Sequence, residues 1–101
     1  MDHVPQRLSF VTLGTRDMRR VRSFYETWGW VERGGSTDEF ASFDVGSTRL
    51  ALYPLDLLSH EAAPGCSPPD SDWNGITLAI NVDRRILVDE VFAAATASGA
   101  P

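Results

Sequence analysis

Lysine is absent from the 101-residue chain, cysteine occurs once and histidine twice. The single cysteine, Cys66, excludes an intrachain disulfide and gives no sign of an oxidising compartment. All nine positive charges are arginines, against fourteen Asp and Glu, for a net charge of -5. A nucleic-acid footprint would need those arginines gathered on one face, so the balance points away from nucleic acid. No eighteen apolar residues run together, which excludes a membrane-spanning helix. The opening "MDHVPQRLSF" lacks the apolar stretch of a signal peptide, and the expectation is a cytoplasmic, single-domain protein with a modest core. His3, His60 and Cys66 fall in terminal or Pro-rich segments with no metal-binding spacing, and read as solvated loop residues. No serine stands in G-x-S-x-G, and "GGST" lacks the lysine of a phosphate-binding loop. Asp70 and Asp72 in "PPDSDW" read as a solvated acidic loop.

What is present is a set of strand and helix patterns. "LSFVTLG" (Leu8 to Gly14) reads as a strand. Asp17 stands where an N-cap belongs, and Val21, Phe24, Tyr25 and Trp28 form an apolar helical stripe closed by Gly29. The stretch "RDMRRVRSFYETWGW" interleaves arginine with aromatic rings. An amphipathic helix explains it better than a nucleic-acid surface, with Arg19, Arg22 and Glu26 on the outer face. Trp30 to Arg33 predicts a short strand. Glu39–Val45 and Thr48–Tyr53 predict a hairpin turning at Gly46-Ser47. "PLDLLSHEAAPGCSPPDSD" reads as irregular, with one short helical turn. Gly75–Val82, "GITLAINV", predicts a strand, and Arg84–Ser98 a helix capped by Asp83 with Leu87, Val88, Val91, Phe92 and Ala95 as its stripe. The two strand–helix units align at a spacing of 67 residues, Phe10 with Thr77 and Tyr25 with Phe92. The repeat implies about three further strands beyond the second helix.

"FVTLGTRDMRRVRSFYETWGW" (Phe10 to Trp30), with "RLALYP" (Arg49 to Pro54) and "GITLAINV" in support, resembles the vicinal oxygen chelate superfamily. That group includes glyoxalases, bleomycin-resistance proteins and extradiol dioxygenases. The resemblance implies an α+β fold: a βαβββ module over residues 8–54, a Pro-rich linker over 55–74, and over 75–99 a second module that stops after its helix. It also implies a sheet curled into a cup, with Phe10 and Thr12 looking inward and Val11 and Leu13 facing the helices. In the second module Leu78, Ile80 and Val82 would face the helix, with Thr77, Ala79 and Asn81 inside.

Metal-dependent members of that superfamily carry ligands early on the first strand and on the last strand of a module. The matching positions here are Phe10, Ala51 and Thr77, which argues against metal catalysis, and no metal or other cofactor is expected. The resemblance therefore implies metal-free binding of a small molecule in a sheet-lined cup or dimer groove, lined by Phe10, Thr12, Tyr53, Trp73, Thr77 and Asn81. Two alternatives stand beside it. One is a metal-dependent lyase or dioxygenase completed by ligands from a partner chain or further strands; the other is a non-catalytic interaction subunit. The expected partners are a second copy of the chain, by simple or strand-exchanged dimerisation, and a small molecule, with no nucleic acid or membrane.

Overall fold

Asp17 starts the first helix: its Oδ1 accepts the backbone N–H of Arg20 at 3.0 Å, a cap worth about 1 kcal/mol. The computed structural model describes residues 4–68 and 78–99. Its elements are β1 (Phe10–Thr15), α1 (Met18–Glu26), β2 (Ala41–Val45), β3 (Thr48–Pro54), α2 (Leu55–Ala62) and α3 (Arg85–Ala97). Gly29, at φ +86°, ends the α1 turn in a conformation that a residue with a Cβ resists.

The three strands form one mixed sheet in the order β1-β3-β2. β3 runs parallel to β1 and antiparallel to β2. The β2–β3 hairpin turns through Gly46 and Ser47, with Gly46 at φ +65°, the position where a tight hairpin turn takes glycine. Alternation then sorts the side chains. One face carries Leu13, Leu52 and Ala41 in register, with Val11, Leu50 and Phe43 beside them. The other carries Phe10, Arg49 and Asp44 in one row, Thr12, Ala51 and Ser42 in the next, and Gly14 with Tyr53 in a third.

The core lies on the first of these faces. Ala41, Phe43 and Leu52 are fully buried, and Leu13, Met18, Val21, Tyr25, Trp30 and Val45 pack on them. Tyr25 anchors the cluster, stacking on Trp30 at 5.1 Å between ring centroids and meeting Phe43 at 5.7 Å. Burial pushes its phenol above the ordinary tyrosine pKa, so the ring stays neutral in the core. α2 meets the sheet at Gly14, on the opposite face: a Cβ built there would stand 2.6 Å from Leu55 Cδ1 and 3.2 Å from Leu55 Cα.

Several expectations are corrected. The predicted strand Trp30–Arg33 shrinks to an isolated bridge, Glu32 to Phe43, because the Gly34-Gly35 turn carries the chain away from β2. The linker holds a helix of eight residues, α2, rather than a single turn; the segment between Pro54 and Pro64 is free of proline and long enough for two turns. Leu78–Val82 is not in a strand, since no described strand lies alongside to pair with it; Gly75, Ile76 and Thr77 lie outside the described residues. α3 begins at Arg85 with Arg84 in the cap position and no side-chain cap bond. Asp83 stands one residue too early for its carboxylate to serve as the cap. Arg22 is drawn inward from the predicted outer face: it pairs with Glu32 at 2.7 Å and donates to the Thr37 carbonyl. On α3, Leu87, Val91 and Ala95 are half-buried while Val88 and Phe92 are exposed.

Candidate functional site

The sheet face away from α1 carries the polar and aromatic groups. Thr12 stands opposite Ala51, which in turn stands opposite Ser42. Ala51 and Ser42 are buried, so they form a closed floor, and access is left at Phe10, Thr12, Arg49 and Tyr53. Phe10 is 47% exposed, unusual for a strand phenylalanine. The Arg49 guanidinium carbon lies 5.7 Å from the centre of its ring, within cation–π range. Asp44 Oδ1 receives both the Arg49 and the Arg33 Nε, each at 3.2 Å. Exposed pairs of this kind contribute about 0.2–1 kcal/mol to stability, so their main effect is to orient the two guanidinium groups. A cavity of about 340 Å³ opens at this end, lined by Arg7, Ser9, Phe10, Asp44, Thr48 and Arg49 among others.

Of the six residues the sequence nominated, the sheet brings three to one face: Phe10, Thr12 and Tyr53. Asn81 is exposed in a stretch without strand structure, so no ladder directs it at that face. Trp73 and Thr77 lie outside the described residues. Arg49, Asp44 and Arg33 were missed. The first two were legible in principle, because a two-residue turn at Gly46-Ser47 sets Asp44 directly across from Arg49, an opposite-charge cross-strand pair.

A second concavity lies on the α1 face, also about 340 Å³, with walls of Val11, Tyr25, Trp28, Trp30, Leu50 and Ile80. It arises because the short α1 leaves part of the sheet uncovered and the Leu78–Ile80 segment spans the gap. Next to it the indole N–H of Trp28 is buried with no acceptor among the described residues, at a cost of about 1–3 kcal/mol.

A metal centre of the type that metal-dependent members of the superfamily carry does not fit the side chains present. Phe10 and Ala51 offer no lone pair, and among the described residues no group of three His, Cys, Asp or Glu is placed to hold an ion. No helix among the described residues is long and apolar enough to cross a membrane.

The architecture, a small α+β unit with a mixed three-stranded sheet and three helices, is that of glyoxalase-type proteins, as the sequence resemblance implied. A glyoxalase-related enzyme from Fulvimarina pelagi superimposes with a TM-score of 0.78 at 23% identity, over 93% of this chain and 66% of its own. A glyoxalase/bleomycin resistance protein/dioxygenase from Nocardioides gives 0.69 at 22% identity, over 98% and 66%. Lactoylglutathione lyase from Agrobacterium tumefaciens gives 0.66 at 19% identity, over 97% and 74%. This chain thus spans about two thirds to three quarters of their lengths. No family model matches the sequence, and no curated protein is similar to it at a significant level. At such identities the likeness establishes the fold and leaves the reaction open.

Proposed function

We propose that this chain is a metal-free small-molecule binding protein of the glyoxalase/bleomycin-resistance type, holding its ligand against the Phe10–Thr12–Tyr53 face of the sheet. The observation that carries this reading is the chemistry of the Phe10 and Ala51 positions. They share one face, occupy the places where metal-dependent relatives would carry ligands, and bear only hydrocarbon. An exposed phenylalanine, a threonine hydroxyl and a tyrosine beside them are suited to planar ligands. In the same reading residues 8–54 form the first module, with its strand before β2 reduced to the Glu32–Phe43 bridge, 55–74 join it to a second, and 75–99 begin that second module. A second copy of the chain covers the apolar surface that Leu78, Ile80, Val88 and Phe92 leave exposed.

The test is an amide chemical-shift titration of the chain with planar aromatic ligands. Shifts should cluster at Phe10, Thr12 and Tyr53, and Tyr53→Ala should weaken binding roughly three- to tenfold, the worth of one aromatic contact. Shifts confined to the indole signals of Trp28 and Trp30 would move the site to the α1-side cavity and sink the proposal. A stoichiometric divalent ion retained through purification without chelator would favour the metal-dependent alternative.

A further inference from the structure

We propose that the Arg33–Asp44–Arg49 cluster, with Arg7, makes the end of this face an oxyanion subsite, so that the ligand carries a carboxylate or phosphate-like group next to an aromatic or planar body. The inference rests on the ligand-binding reading above and specifies the chemistry of what is bound.

Three independent features converge there. First, Asp44 Oδ1 holds the Nε of both Arg33 and Arg49 at 3.2 Å. Each guanidinium is oriented through Nε alone, and the terminal nitrogens of both have no hydrogen-bond partner among the described residues. Those terminal N–H groups are the ones that make paired hydrogen bonds to carboxylate and phosphate oxygens. Second, a cavity of about 340 Å³ opens on Arg7, Arg49 and Phe10, a size in the range of small-ligand sites. Two arginines, Arg7 and Arg49, line it against one aspartate, and Arg33 adds a third positive charge on that same aspartate from outside the lining, so this end is locally positive in a chain whose net charge is -5. Such a patch attracts small anions that the rest of the surface repels. Third, the Phe10 ring is 47% exposed and already has Arg49 at 5.7 Å. A ligand can therefore lay a flat apolar portion on the ring while its charged end meets the guanidinium groups. The pairs themselves contribute too little to stability to account for two arginines on one aspartate at an exposed strand end.

The experiment compares phenylphosphonate with benzyl alcohol, which share an aromatic body and differ in charge, by amide-shift titration of the wild type and of Arg49→Gln. Wild type should bind phenylphosphonate about tenfold or more tightly than benzyl alcohol, the worth of a charge-assisted hydrogen-bond pair. The phenylphosphonate affinity alone should fall with added salt. Arg49→Gln should bring the two ligands to within about threefold of each other by weakening only the anion. Arg33→Gln, which leaves the Phe10–Arg49 contact in place, should weaken the same ligand in the same direction. Equal wild-type affinity for both ligands, with shifts on this face, would overturn the oxyanion subsite and leave the ligand-binding reading intact. Absence of shifts on this face with either ligand would overturn both.

Discussion

Glu26 and Glu32 share a hydrogen bond, and the two carboxyl groups are driven apart in acidity by it. On Glu26 the hydrogen bond to Glu32 is the main cause, followed by desolvation and the neighbouring negative charge, and together they raise its pKa above the ordinary glutamate value. For Glu32, desolvation pushes upward, but hydrogen bonds from Glu26, Arg22 and Ser36 and the Arg22 charge outweigh it and lower the pKa. The consequences for stability have opposite signs. Glu32 contributes stability above its unfolded pKa, and that contribution is lost as pH falls through the lowered folded value. The Glu26 contribution is fully present below its unfolded pKa and is lost as pH rises through the raised folded one. Above that point both groups are ionised and repel. Glu26→Gln supplies a donor at every pH. The variant should therefore be more stable than wild type at neutral pH, with the advantage shrinking toward the ordinary glutamate range. Urea denaturation midpoints measured across pH decide it, and a constant offset at all pH values would contradict the shared proton.

The two helices flanking the sheet differ in how they are held. α1 is fixed by its cap and by aromatic packing, whereas α2 rides directly on the backbone at Gly14. Gly14→Ala would put a methyl group 2.6 Å from Leu55 Cδ1 and 3.2 Å from Leu55 Cα. The Leu55 side chain can turn aside but the backbone cannot, so α2 must shift. The expected loss is about 1–3 kcal/mol, the usual cost of overpacking, read from denaturant unfolding. The same contrast explains how much of the fold could be read from the sequence. α1 and the hairpin were legible because cap, stripe and turn are local signals. α2 was read as only a single helical turn because its reason to form is tertiary: Leu55 and Leu58 meet Gly14, some forty residues away in sequence. Leu78–Val82 misled in the other direction, since strand-forming residues become a strand only beside a partner. Half of the candidate face was legible by alternation. Arg33 was not, because it reaches Asp44 through the isolated bridge that sets Glu32 beside Phe43, a long-range pairing that no local pattern specifies.

The chain exposes 8102 Å² of surface, whereas a compact monomer of its 11.1 kDa mass would expose about 5,700 Å². Its radius of gyration, 15.4 Å, likewise exceeds the roughly 13 Å of a domain this long. The excess area is of the order removed in a permanent subunit interface. Ile86, Val88 and Phe92 on α3 are 61%, 54% and 74% exposed, and α3 reaches α1 through a hydrogen bond between Thr27 and Ser98 at 2.8 Å. The proposed dimer makes a specific demand: Val88→Asp with Phe92→Ser should convert it to monomer in sedimentation velocity. The effect on unfolding of the single chain should stay within about 0.5 kcal/mol per substitution, because both sites are exposed. A wild-type chain that remains monomeric at high concentration would end the idea. The parallel pairing of β1 with β3 has a further meaning for how the chain comes to be folded. β2 and β3 can zip together across two residues, but β1 must wait until α1, the Gly34-Gly35 turn and the whole hairpin have been laid down, and closing that loop is the costly step. Made well before β3, its partner, β1 must wait for a neighbour, and through that interval Val11 and Leu13 depend on α1 alone for cover.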